Sequence, residues 1–269
     1  LARQAIEGGL AECVLALGFE QMERGALGSK FDDRENPMTP HVQVMLAAQG
    51  FNSAPPAAQM FGGAGREYRW KYGASREMFG KVAVKARQHA SRNPYALFNQ
   101  VLSLEEVMAS ADVFDPLTRF QCCPPTCGAG AAILCSDAFA KKHGIQNPVY
   151  IAAQAMTTDF ASSFNEASMI KMVGYDMTVQ AAKQVYEQAG IGIEDVDVIE
   201  LHDCFTANEV LTYEALGLCP EGGAEKFIMN GDNTYGGKFV TNPSGGLLSK
   251  GHPLGATGLA QCTELVWQL

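Results

Sequence analysis

Apolar positions recur with two periods along this chain, and the switches between them mark out its elements. Residues 1–7 read as the tail of a helix broken by Gly8-Gly9, and residues 12–18 follow as an unbroken apolar run. Such a run predicts a strand buried on both faces, a helix feeding a parallel sheet. From 21 to 62 the pattern fades into Gly, Pro, Asn and Asp, with a short apolar stretch at 41–46, which predicts an irregular insertion. Met78, Val82 and Ala86 then give a helical spacing that Asn93-Pro94 ends. Residues 101–126 read as loop. Residues 128–135 read as a central strand closely approached by its neighbours, running into a short helix at 138–143 that stops at Gly144.

Residues 149–156 predict another strand, followed by loop to about 172. Val179, Ala182, Tyr186 and Ala189 mark one face of a helix stopped by Gly190. Residues 196–201 predict a strand, and Thr206 with Glu209 reads as a capping box opening a helix that ends at Gly217. Near the end, Asn242-Pro243-Ser244-Gly245-Gly246 precedes Lys250-Gly251-His252-Pro253-Leu254-Gly255-Ala256-Thr257-Gly258. Pro253 suits the first position of a helix, Gly255, Ala256 and Gly258 keep its first turns slim, and Leu259, Cys262, Val266 and Leu269 form its apolar stripe. Strands alternating with helices make this an α/β chain, whose sites gather beyond the carboxyl ends of strands.

Composition narrows the class. With 269 residues, 47% hydrophobic and 18% charged, the chain can bury a large core as one domain or two. No apolar run reaches the roughly 18 residues of a membrane span, and no basic-then-apolar pattern of a signal peptide is read in the sequence, so export is not expected. The first helix lacks an N-cap and the last a C-cap, so the sequence is expected to be a piece of a longer polypeptide, missing material at both ends. Eight scattered cysteines are expected to be reduced thiols, most of them core filler. The net charge of −9 argues against nucleic-acid binding. Residues 66–92 nevertheless hold eight bases against two acids, +6, leaving −15 elsewhere. This is either a solvated helix face or a site for a small polyanion such as a phosphorylated cofactor.

Three features bear on chemistry. Cys122, Cys123 and Cys127 crowd together without a paired C-x-x-C, so no structural metal is expected, and Gly128 with Gly130 lacks the rest of a dinucleotide fingerprint. His252 is pinned among glycines at a loop-to-helix junction, either as a turn-capping side chain or as a placed imidazole that carries a proton or an oxyanion hydrogen bond. Cys204 ends a strand just before a helix N-terminus, a setting that favours the thiolate, with His202 on its face. It is alternatively a small buried hydrophobe. Together the two imidazoles and the thiol are parts for proton transfer and oxyanion stabilisation around an acyl group.

The motifs His202-Asp203-Cys204-Phe205 and Asn242 to Gly246 with Gly251 to Gly258 resemble the thiolases, specifically those of the sterol carrier protein type. The likeness extends through residues 209–221 and 231–238. It implies a layered αβαβα fold with an inserted loop domain, in a homodimer, divided as follows. Residues 1–45 belong to the N-terminal half, 46–123 to the loop domain on the coenzyme A side, 124–165 to a return to the N-terminal half, and 166–269 to the C-terminal half. It also implies roles. His202 stands in the oxyanion hole where most thiolases have Asn, Cys204 is the acid/base thiol, and Phe205 lines the pantetheine tunnel. His252 activates the nucleophilic cysteine and donates to the oxyanion hole, while Met60 and Gly251 are further substrate-side candidates. The implied reaction is thiolytic cleavage of 3-oxoacyl-CoA, with coenzyme A and acyl-CoA as partners and no cofactor or metal. Peroxisomes are the implied compartment, with mitochondria or cytoplasm as alternatives.

Three departures accompany the likeness. No cysteine here has the Asn-rich loop setting of the family's nucleophile, which is expected upstream of Leu1, and the family's final glycine-rich loop is expected beyond Leu269. Cys127 stands before Gly128 where the family usually has Asp. The rival functions are a condensing enzyme running the same chemistry in reverse and a non-catalytic scaffold that binds acyl-CoA or lipid.

Overall fold

The computed structural model describes residues 1–23, 25, 28, 31 and 33–269, so six positions of the 21–62 stretch lie outside the described residues. After α1 (Ala2–Glu7) comes β1 (Cys13–Glu20), then the helices α2 (Thr39–Gln49), α3 (Pro56–Tyr72), α4 (Glu77–Ala90) and α5 (Leu104–Ala109). A small hairpin of β2 (Asp112–Phe114) and β3 (Leu117–Thr118) leads to β4 (Gly128–Cys135) and α6 (Asp137–Lys142). The second half runs α7 (Ser162–Asn165), α8 (Met169–Met172), α9 (Tyr175–Ala189), β5 (Val198–Ile199), α10 (Thr206–Ala215), α11 (Ala224–Met229), β6 (Val240–Thr241), α12 (Gly246–Lys250) and α13 (Thr257–Gln268). This is the expected α/β class.

Several expectations are corrected. β1 pairs antiparallel with β4, Leu15 opposite Ile133 and Gly18 opposite Gly130, rather than parallel. Only one face of this ladder is covered, because Leu15, Leu17 and Phe19 are 60–71% exposed while Gly18 and Gly130 lie under α13. A continuous apolar run is the same sequence signal whether one face or both are covered. No strand forms at 149–156, where no neighbouring strand offers ladder hydrogen bonds among the described residues.

The expected irregular insertion instead carries α2 and the start of α3, and the expected 101–126 loop carries α5 and the β2–β3 hairpin. In α3 the period is blurred by Gly62, Gly63 and Gly65, which are needed for close packing. A Cβ at Gly62 would sit 2.6 Å from the Phe114 ring, and one at Gly65 would crowd Pro116 and Ala207.

Helix α13 begins at Thr257, four residues after Pro253, whose carbonyl closes the preceding turn with Ala256 and Thr257. Its stripe is not buried, since Cys262, Val266 and Leu269 are exposed. Gly255 does admit a close backbone, a Cβ there standing 2.3 Å from the Phe19 carbonyl, whereas Gly258 faces open space. The capping box does not form. Thr206 donates to Gln121 at 3.2 Å, and Glu209 is fully buried in an ion pair with Lys85, hydrogen-bonded in turn to Tyr213.

The core gathers where α3, α4, α10 and α12 meet, around Tyr68, Met78, Phe79, Val82, Val210, Tyr213 and Leu247. All eight cysteines are free, but only Cys204 and Cys219 are buried, so most are not core filler. No helix of the described residues is long and apolar enough to cross a membrane.

Candidate active site

The site begins with a short parallel ladder. Val198 pairs with Val240, and the chain continues past β5 and β6 side by side. The Asn242 amide donates to the Ile199 carbonyl at 2.7 Å, and the Asn242 side-chain oxygen accepts the Leu201 amide at 2.8 Å. Asn242 is fully buried at φ 52°, a left-handed conformation that asparagine tolerates better than most residues.

Two carboxylates then stitch the strands together. The Glu200 carboxylate accepts the Ser244 amide and hydroxyl, each at 2.9 Å, with Lys250 3.5 Å away. Buried Asp203 accepts the Leu247 amide at 2.7 Å and the Leu248 amide at 3.4 Å, so it holds the start of α12. Gly246 is required there, because a Cβ would fall 2.0 Å from the Asp203 carboxylate. Since His252 follows α12 by two residues, these stitches carry it to His202, and the two imidazole rings stand 4.8 Å apart, edge to face.

A third strand of chain fastens both. The Cys123 amide donates to the Cys204 carbonyl at 2.9 Å, and Cys122 bridges Phe205. The His252 amide donates to the Pro124 carbonyl at 3.3 Å. Thr126 packs on Gly251, which at φ 109° lets the chain turn into His252. The 122–126 segment thus ties the backbone at Cys204 and Phe205 to that at His252, and the rings of His202 and His252 meet although fifty residues separate them. His202 keeps exposed surface, whereas Cys204 and His252 are buried.

Phe205 is buried and stacks on Phe61 with ring centroids 5.2 Å apart. Met60, on α3, is core, and its neighbour Phe61 is the residue that meets Phe205. Sequence reasoning missed Phe61, Asp203 and Thr257. The Thr257 hydroxyl lies 2.7 Å from His252 Nδ1. Only the local pattern around Asp203, a carboxylate beside the candidate thiol, could have drawn attention to it.

Burial governs the protonation states. The Cys204 thiol is pushed up by burial, with Cys123 and Asp203 adding to it, which reverses the expected thiolate: desolvation outweighs the helix N-terminus. His252 is held down at about 4, first by burial and then by His202, and His202 itself is lowered by desolvation. Asp203 is raised to about 8 by burial and then by Glu209. At neutral pH Cys204 is therefore a thiol, able to give a proton, and His202 and His252 are neutral imidazoles, able to accept one.

The basic segment is largely matched within the protein. Arg66 and Arg69 reach Asp115, Arg76 reaches Asp112 and Asp115, Lys71 pairs with Glu221, and Lys85 with Glu209. Arg87 lies over Phe98 and Phe120, and Arg92 over Tyr235. Among the described residues no three of His, Cys, Asp and Glu converge as metal ligands.

A family described as Thiolase C-terminal domain-like matches residues 161–269. Over its whole length the chain is 60% identical to sterol carrier protein 2 of Oryctolagus cuniculus and spans 49% of it, about half the length of that relative. It is 39% identical to the benzoylsuccinyl-CoA thiolase subunit BbsB of Thauera aromatica, again over all of this chain and 66% of that one. Among solved structures, the Ltp2-ChsH2(DUF35) aldolase superposes with a TM-score of 0.81 at 26% identity, covering 98% of this chain and 67% of its own.

Proposed function

The chain belongs to the thiolase family, and from that premise we propose that the whole protein cleaves 3-oxoacyl-CoA with coenzyme A, giving acetyl- or propionyl-CoA and a shortened acyl-CoA. The single observation that carries this reading is the edge-to-face meeting of the His202 and His252 rings, with Cys204 buried two residues along the chain from His202.

In this reading the acyl-accepting cysteine is none of the eight in residues 1–269. His252 takes its proton, and the resulting thiolate attacks the 3-oxo carbon while His202 donates a hydrogen bond to the developing oxyanion. The bond between carbons 2 and 3 breaks, and Cys204, held as a thiol, protonates the departing enolate carbon. The Cys204 thiolate then takes the proton of the incoming coenzyme A thiol. The coenzyme A thiolate attacks the acyl-enzyme, and the nucleophilic cysteine leaves and recovers the proton held by His252. Phe205 packed on Phe61 supplies an apolar wall for the pantetheine arm. We further propose that the whole protein works in peroxisomes, as a homodimer acting on branched or sterol side chains.

The test is consumption of 3-oxoacyl-CoA by the full-length protein with and without coenzyme A. Thiolysis predicts loss of substrate only when coenzyme A is present. Cleavage without coenzyme A would indicate a retro-aldol reaction, and tight binding without turnover a scaffold. Each of these outcomes overturns the proposal.

A further inference from the structure

Thr257 lies on the first turn of α13 and is buried, with its hydroxyl oxygen 2.7 Å from His252 Nδ1. The same oxygen is 3.0 Å from the Pro253 carbonyl, which can only accept a hydrogen bond, so the hydroxyl proton is committed there. What remains on the oxygen toward the imidazole is a lone pair. No carboxylate contacts the ring, and among the described residues Nε2 has no hydrogen-bond partner in the protein. In many sites a carboxylate or backbone carbonyl settles which imidazole nitrogen carries the hydrogen. Here a hydroxyl occupies that place.

We infer that Thr257 is a positioning residue that keeps the hydrogen of His252 on Nδ1 and presents a bare Nε2 to the reacting groups. The arrangement serves both protonation states without rearrangement. A neutral ring donates from Nδ1 to Thr257 and accepts a proton at Nε2. Once protonated, it still donates to Thr257 and now offers Nε2–H to an oxyanion. The consequence for turnover rests on the thiolase reading above, whereas the tautomer itself does not.

The experiment is nitrogen NMR of the histidine-labelled full-length protein, with His252 assigned by the signals lost in His252→Gln. At neutral pH the wild type and Thr257→Ser are expected to show protonated Nδ1 and bare Nε2. Thr257→Val, equal in size but without the hydroxyl, is expected to populate the other tautomer. It should also lose about tenfold or more in kcat for thiolysis with KM nearly unchanged. A wild-type ring carrying its hydrogen on Nε2, or a Thr257→Val ring indistinguishable from wild type, overturns the inference. The expected tautomer shift in a protein that performs no thiolysis would uphold Thr257 and remove the functional reading instead.

Discussion

Desolvation decides what each side chain at this site can do. His252, held at about 4 by burial and by His202, stays neutral and able to accept a proton down to that pH. The acid limb of the kcat/KM profile is therefore predicted to fall well below 6.5, and a limb at 6.5 would mean a solvated ring. His89 is the structural counterpart. It is buried between the Asn242 carbonyl at 3.0 Å and the Thr234 hydroxyl at 2.7 Å, and burial, then Lys85, lowers it to about 4.

Between roughly pH 6.5 and 4 the unfolded chain binds a proton at this position that the folded chain refuses. Its stabilising contribution is thus present above 6.5 and is lost as pH falls toward 4. Thermal unfolding followed from pH 7 to 4 is expected to show a decline that is shallower in His89→Phe, by up to about 3 kcal/mol. Asp203 runs the other way. Its carboxyl, raised to about 8, contributes stability at low pH that is lost as pH rises through 8, so Asp203→Asn should gain on the wild type over that rise. The residues with distinctive chemistry, His202, Cys204 and His252, were legible from sequence because glycines and a helix entry surround them. Asp203, Thr257 and Phe61 were not, because each acts through a partner far away in the chain.

Elements were legible where one period ran uninterrupted and illegible where packing overrode it. The helix ending at Gly190 has its left-handed glycine cap as expected, and β5 lies within the strand predicted at 196–201. α3 was lost to the reading because its glycines serve close packing, an arrangement that propensity alone argues against. The approach of β1 to the turn before α13 is the sharpest case. A Cβ at Gly18 would lie 2.1 Å from the Gly255 carbonyl, and both backbones would have to move. Gly255→Ala is predicted to destabilise by roughly 1–3 kcal/mol in denaturant titration and to lower thiolysis with it, since the same turn leads back to His252. Gly258→Ala, facing open space inside a helix, should be neutral or slightly stabilising.

Across the whole molecule, the two halves of the sequence meet around buried charge. Lys85 of α4 and Glu209 of α10 pair in the core, and the Lys85 ammonium also donates to Thr241 at 2.7 Å and Tyr213 at 3.1 Å. Removing one partner strands the other charge away from water. Lys85→Met is expected to cost about 3–5 kcal/mol in unfolding free energy, most of it recovered in the Lys85→Met, Glu209→Leu double variant. This network underlies the ladder from which both His202 and His252 are hung, which is why a site built from residues fifty positions apart can be rigid. The claim that it is a single acyl-CoA site is tested most directly by a double-mutant cycle on full-length protein, reading kcat/KM for thiolysis of 3-oxoacyl-CoA in Cys204→Ala, His252→Ala and the pair. Groups acting on one reaction are predicted to lose on the order of 10²–10⁴ singly, and little more together. Unchanged turnover in Cys204→Ala, or losses that simply multiply, would contradict the account.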